Sequence, residues 1–246
     1  MLRERLIDAA TRLGIDDQLR TIRATLVPSY RYARDESQHL RELLKSVLKE
    51  DSNCIDIGAF RGRVLAEIMR VAPRGCHIAY EPLPHLHRYL VERFPSVDIR
   101  QAAVSNVSGE TSFTYVKNVA GRSGIREIAY PKQPQIETLT VRTETLDNSL
   151  PGGYIPSLIK IDVEGAERLV IEGAINTISK YKPVVMFEYG KGSAVHYGTQ
   201  PHHIYELLHN ESGLRIFDLD GNGPYSLGQF EESFAQDDRW DYIARP

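Results

Sequence analysis

Glycines and carboxylates are spaced along this chain in a way that suits a charged ligand carrying a nucleoside. The segment Ile55-Asp56-Ile57-Gly58-Ala59-Phe60-Arg61-Gly62 ends one apolar run and opens a helical pattern. Gly58 permits a tight turn with close backbone approach, and Gly62 lets the start of the helix sit near a sheet. Glu81 follows the apolar run His77-Ile78-Ala79-Tyr80, nineteen residues beyond Gly62. A carboxylate at that spacing can accept hydrogen bonds from both hydroxyls of a ribose; a solvated strand end is its plainer role. Further on, Gln101-Ala102-Ala103-Val104-Ser105 supplies small side chains that leave room for a flat ring such as adenine, or simply pack a turn.

A dinucleotide loop needs a further glycine two positions after the first, where bare backbone meets a pyrophosphate. Phe60 occupies that place. Asp56, at the strand end, would repel a diphosphate and attract the ammonium of a methionine moiety. Both departures favour S-adenosylmethionine, which has a ribose and an adenine but no phosphate.

A second acidic group lies in Ile159-Lys160-Ile161-Asp162-Val163-Glu164-Gly165-Ala166-Glu167, a buried strand running into a helix. Strand periodicity puts Asp162 and Glu164 on one side if the strand persists that far. In a doubly wound sheet this strand neighbours the first, so Asp162 and Asp56 are expected to flank the crevice at the topological switch point. Glu164 and Glu167 also suit a first helical turn, where the helix dipole stabilises carboxylates. An alcohol acceptor needs a general base. The candidates are Asp162, Glu164, Glu188 after a later apolar strand, and His196 in a glycine-punctuated loop, with His196 or Asp162 favoured. A surface position for His196 is the alternative. Asp162, Glu164 and Glu188 could instead share a divalent cation such as Mg. Asp218-Leu219-Asp220-Gly221-Asn222-Gly223 opens like a calcium loop, but its twelfth position is Gln229, so a turn between late strands is expected.

These side chains must be carried by short apolar strands alternating with helices. The expected core strands are Cys54 to Ile57, His77 to Tyr80, Val97 to Ile99, Leu158 to Ile161, Val184 to Phe187 and Leu214 to Phe217. Helical segments run around Val64 to Val71 and Leu86 to Phe94. This alternation implies a doubly wound, mostly parallel α/β sheet covered on both faces. Trp240 to Ala244 alternates and suits an antiparallel edge strand. Strand-like Thr111 to Val116 and Ile136 to Val141 form an insertion, about 110–145, expected over the carboxyl edge.

At 246 residues, with 41% hydrophobic and 26% charged residues, the chain suits one domain: a helical cap over 1–50 and a core over 51–246. The cap rests on Leu2, Leu6, Ile7, Ala10 and Leu13 and on Leu40, Leu43, Leu44, Val47 and Leu48, and such a helix could cover the site or make a homodimer contact. A formal charge of -3 leaves no positive surplus for nucleic acid. No stretch approaches the ~20 apolar residues of a membrane span. The charged N-terminus lacks the apolar core of a signal peptide, so a cytoplasmic protein is expected. Cys54 and Cys76 are expected as buried free thiols.

The chain resembles the FkbM family of S-adenosylmethionine-dependent methyltransferases. The resemblance is carried by Cys54-Ile55-Asp56-Ile57-Gly58-Ala59, Glu81-Pro82, Ala103-Val104-Ser105, Thr145-Leu146-Asp147, Leu158 to Glu167 and Phe187-Glu188, over about residues 50 to 190. It implies a seven-stranded, Rossmann-like class I methyltransferase fold and O-methylation, often of sugar or polyketide hydroxyls. Asp56, Gly58, Ala59, Phe60, Gly62, Glu81, Pro82, Ala103 and Asp162 are the expected cofactor-binding residues. The acceptor is then a small molecule or a lipid-linked glycan or polyketide. A dinucleotide oxidoreductase, and a non-catalytic ligand-binding module on the same scaffold, are the competing functions.

Overall fold

The computed structural model describes residues 40–128, 130, 133–237 and 239–246. Met1–Val47 and Leu48–Pro246 form two separate units. The first N-terminal helical pattern lies outside the described residues. The second is helical over 40–47 and stops short of Leu48.

The described residues of the larger unit contain ten strands: β1 Cys54–Ile57, β2 His77–Tyr80, β3 Asp98–Arg100, β4 Ala103–Val104, β5 Gly109–Val116, β6 Ile136–Glu144, β7 Leu158–Ile161, β8 Val184–Glu188, β9 Arg215–Asp218 and β10 Asp241–Arg245. Seven build the main sheet in the order β3-β2-β1-β7-β8-β10-β9, parallel except for β10. Every residue of β1, β2 and β7 is buried, as expected of strands covered on both faces. One core includes Ile55, Ile57, Tyr80, Ile159, Ile161, Phe187 and Tyr242; another gathers Ala59, Leu65, Ala79, Leu90 and Phe94. Helix Arg63–Val71 contributes Leu65 and Ile68, and helix Pro84–Arg93, with proline in its first turn, contributes Leu86 and Leu90.

The antiparallel strand is present but stands one place in from the edge, and β9 is the edge strand. Tyr242, Ile243 and Ala244 are all buried, so the alternation read in sequence does not mark a solvent face there. Between β9 and β10 lies helix Leu227–Gln236, capped by Ser226 and Gln229. The calcium-like segment is the turn that leaves β9: Asp218 Oδ1 accepts from the Asn222 amide at 2.8 Å, and Oδ2 accepts from Tyr225 and Arg239. Cys54 is buried, whereas Cys76, just ahead of β2, is exposed.

The insertion forms a second sheet, β4-β6-β5, in which β5 and β6 make a long antiparallel hairpin. Among the described residues no helix is long and apolar enough to cross a membrane.

Two glycines fix how the end of β1 meets its neighbours. Gly58 has φ 76°, and a Cβ there would stand 1.9 Å from the Asp162 carbonyl oxygen. Gly62, at φ 72°, would place a Cβ 2.3 Å from the Phe94 ring. It therefore lets the helix approach the end of the next helix, not the sheet as sequence suggested. Gly58→Ala should destabilise the protein by ~2 kcal/mol or more, from left-handed strain plus overpacking. Urea denaturation reads this directly, and an unchanged midpoint would contradict it.

Candidate functional site

β1 and β7 are adjacent, β2 and β3 continue to one side and β8 to the other, so the chain reverses direction of winding between Gly58 and Asp162. A crevice opens at such a point in an open α/β sheet. Here it is an open-mouthed cleft of about 150 Å³.

The turn after β1 is tied to the end of β2, because the amides of Gly58 and Ala59 both donate to the Tyr80 carbonyl, at 3.1 and 3.0 Å. Phe60 adopts φ 50° and sends its amide to Glu81 Oε2 at 2.9 Å. The Leu83 amide donates to Glu81 Oε1 at 2.9 Å. The Glu81 carboxylate, buried in the cleft wall, is thus held by two backbone donors with lone pairs left over for a ligand. Burial pushes it up to about 7, against the pull of the Leu83 and Phe60 amides.

Lys160 sits opposite Asp56 in the β1–β7 register. Its Nζ is 3.1 Å from Asp56 Oδ1 and 3.4 Å from Asp162 Oδ2, and it donates to the Gly58 carbonyl at 2.9 Å. Burial favours the neutral amine, but the Asp56 and Asp162 carboxylates outweigh it and hold Lys160 protonated above the usual lysine range. Asp56 itself is fully buried beneath the turn and does not line the cleft. Its carboxylate faces Lys160, which corrects the expectation that it meets the ligand's ammonium. Asp162 does line the cleft, with its side chain 37% exposed.

β7 ends at Ile161, so strand alternation does not carry Glu164 to the site. The chain turns instead through Glu164 at φ 55° and Gly165 at φ 104°. Glu167, buried at the first position of helix Glu167–Glu172, takes the Val163 and Gly165 amides on Oε1 at 3.2 and 3.0 Å. Its role is to shape this turn, as the helix-start alternative had it. Glu164 and Glu188 both reach the cleft. Burial, then the Asp162 charge, raises Glu164 to about 8. For Glu188, burial followed by Asp162, Glu164 and Asp241 raises it to about 9.

The insertion closes the cleft with Phe113, Ala120, Gly121, Ser123 and Ile125. It is fastened across the opening: the Arg126 amide donates to the Tyr197 hydroxyl at 2.9 Å, and Arg126 Nη1 donates to the His196 carbonyl at 3.1 Å.

Of the residues singled out in sequence, Gly58, Phe60, Glu81, Pro82, Ala103, Asp162, Glu164 and Glu188 line one cleft. Ala59 and Gly62 shape the turn from outside the lining, and Ala103 belongs to β4. His196 is exposed in a short turn, Val195–Tyr197, and is not part of the lining, which matches its surface alternative and removes it from the general-base position. Among the described residues no group of three or more His, Cys, Asp and Glu side chains could hold a metal ion. Asp162, Glu164 and Glu188 therefore share a cleft without forming a ligand set. Sequence reasoning passed over Lys160, although a lysine inside Leu158-Ile159-Lys160-Ile161 can be buried only with a carboxylate partner. It also passed over Leu83 and the Arg126–Tyr197 fastening, for which no local signal exists.

Lys160→Met should cost ~3–5 kcal/mol, because Asp56 is left charged and buried. Asp56→Asn combined with Lys160→Met should recover most of that loss in guanidinium titrations. Additive losses in the double variant would contradict the pairing.

A model of the methyltransferase FkbM domain matches residues 56–215. Among solved structures, the methyltransferase FkbM from Methylobacillus flagellatus KT superposes with a TM-score of 0.52 and 15% identity, covering 80% of this chain and 44% of that one. The chain thus spans less than half the length of that protein, and at this identity the likeness is one of fold. A precorrin-6y C5,15-methyltransferase from Geobacter metallireducens GS-15 covers 72% of both chains at 14% identity, with a TM-score of 0.43. No curated protein matches the chain in sequence.

Proposed function

The chain belongs to the FkbM family of S-adenosylmethionine-dependent methyltransferases, and on that premise we propose that it methylates a hydroxyl group of a sugar, glycan or polyketide-type acceptor. The observation that carries this proposal is the carboxyl-rich lining of the cleft. Asp162, Glu164 and Glu188 line it together, where burial and then the Asp162 charge raise the proton affinity of Glu164 and Glu188, and the backbone-anchored Glu81 lines the same cleft. Such a lining suits a cationic nucleoside and disfavours a diphosphate, which argues against a dinucleotide oxidoreductase. Phe60, standing where a dinucleotide loop needs a second glycine, supports the same choice.

In this arrangement Glu81 accepts the ribose hydroxyls, and Ala103 with its neighbours Ala102 and Val104 flanks the adenine. Asp162, not Asp56, faces the methionine ammonium, with Lys160 moderating its charge. When bound, S-adenosylmethionine supplies an electrophilic methyl group on a sulfonium. The protein's own contribution is alignment, exclusion of water by the fastened insertion, and a base. We assign the base to Glu188, which lines the cleft half-buried beside two further carboxylates. It takes the acceptor's hydroxyl proton as the new O–C bond forms. A divalent cation has no ligand set among the described residues and is not part of this proposal.

A carboxyl group works as a base only when ionised, and a folded pKa raised to about 9 keeps Glu188 largely protonated at neutral pH. The rate kcat/KM should therefore climb as pH rises from about 7 towards about 9 and then level off. Glu188→Gln should lower kcat by ~10²- to 10⁴-fold and abolish that rising limb. Methyl transfer to a panel of hydroxylated acceptors, followed by mass spectrometry across pH, measures both. A Gln variant that keeps the wild-type pH profile would remove Glu188 from the base position, and retained cofactor binding with no turnover on any acceptor would favour a non-catalytic binding module.

A further inference from the structure

The function proposed above leaves a second pocket unused. Strand β6 ends at Glu144, and the chain passes through Thr145 into the short helix Leu146–Ser149. Arg142, Glu144, Thr145 and Asn148 line a pocket of about 410 Å³ there, together with Arg100 from the end of β3 and Ser108 just ahead of β5. None of these residues lines the cofactor cleft. Tyr80 links the two: it lines the cleft, and its hydroxyl meets Arg100 Nη1 and Ser149 Oγ, each at 2.8 Å.

Two atoms of this pocket, Thr145 Oγ1 and Glu144 Oε2, are buried and have no hydrogen-bond partner among the described residues. Thr145 is only 9% exposed. In the string Thr145-Leu146-Asp147 the other two members have structural work: Leu146 is buried in the core, and Asp147 takes the amides of Asn176 and Thr177 at 3.1 and 2.8 Å. The Thr145 hydroxyl does not cap the helix it precedes. A buried hydroxyl without a partner is a cost to folding, which valine of similar shape would avoid. At Glu144, Oε1 accepts Arg142 Nη2, whereas Arg100 Nη1 stands 3.8 Å from Oε2, beyond hydrogen-bond reach. Arg142, its side chain 60% exposed, has N–H groups left after that bond.

The charges select the ligand. An anion alone would meet Glu144, and a cation alone would meet the guanidinium groups of Arg100 and Arg142. A small molecule carrying both charges a short distance apart suits both sides. We propose that this pocket binds a small zwitterion, an α-amino acid, with its ammonium on Glu144 Oε2 and Thr145 Oγ1 and its carboxylate on Arg142 and Asn148. Each orphaned oxygen then gains a donor, and the two charged ends make charge-assisted bonds.

Ligand-observed NMR tests this on the full chain, kept saturated with S-adenosylhomocysteine so that the amino-acid end of the cofactor is already in place in the cleft. L-Alanine, L-serine and L-glutamine are compared with acetate, methylamine and glycerol. At least one amino acid should bind saturably, and about tenfold or more tightly than each of the three controls. Glu144→Gln, Thr145→Val and Arg142→Gln should each weaken that binding by about tenfold or more. Thr145→Val should leave the urea midpoint unchanged or raised, since the hydroxyl it removes has no partner in the unliganded protein, and should leave S-adenosylhomocysteine affinity unchanged. The proposal is overturned if no amino acid binds, or if a singly charged control or glycerol binds equally well. It is also overturned if Thr145→Val loses stability together with binding; Arg142→Gln, at an exposed position, reads binding independently of folding. Amino acids that bind only when S-adenosylhomocysteine is left out occupy the cleft, which overturns it as well. Binding that responds to the three variants in a chain with no affinity for S-adenosylhomocysteine would support this site while sinking the methyltransferase function.

Discussion

A buried lysine between two aspartates sets the shape of the cleft. Lys160 and Asp56 face each other across the first two strands of the switch point, and neither could remain charged there alone. Once paired, the lysine has donors to spare, and it gives one to the Gly58 carbonyl and turns another towards Asp162. The Gly58 turn and the Asp162 carboxylate that lines the cleft are thus positioned by one ammonium. Gly58 completes the arrangement, because only a residue without Cβ allows the two strand ends to come this close.

That pair also governs the electrostatics of the opening. One cation is shared by Asp56 and Asp162, and Arg122 and Lys160 offset the Glu164 charge only in part. Burial first, and then the Asp162 charge, disfavours ionisation of Glu164 and Glu188, so both hold protons more tightly than free carboxyls. A ligand bringing its own positive charge would replace those protons. A neutral ligand of the same shape would not, which gives the site a basis for distinguishing a sulfonium donor from its spent thioether.

Much of this was legible in the sequence. The strands Cys54–Ile57, His77–Tyr80 and Leu158–Ile161 are short runs buried on both faces, and such runs announce themselves by composition alone. Glu81 follows from spacing, since a nucleoside fold places an acid at the end of its second strand. Asp56 did not read correctly, because a carboxylate inside an apolar run looks the same whether it meets a ligand or a lysine on the adjacent strand. Only the register of β1 against β7 separates the two. His196 was drawn in by its chemistry, yet the short turn carrying it leaves it in solvent. The inward place of β10 was hidden for a similar reason: its residues alternate in type but are buried on both faces. Helix Leu227–Gln236 did carry a local signal, the Ser226–Gln229 capping box, that periodicity did not pick up.

The central claim is that an acidic, glycine-turned cleft accommodates a cationic adenosyl donor. Calorimetric titration with S-adenosylmethionine and S-adenosylhomocysteine, in buffers of different ionisation enthalpy at about pH 7 and about pH 9, tests it most directly. Both ligands should bind; the sulfonium should release protons at the lower pH and gain affinity over the thioether at the higher one. Binding of neither ligand, or equal affinities at both pH values with no proton release, would contradict the account.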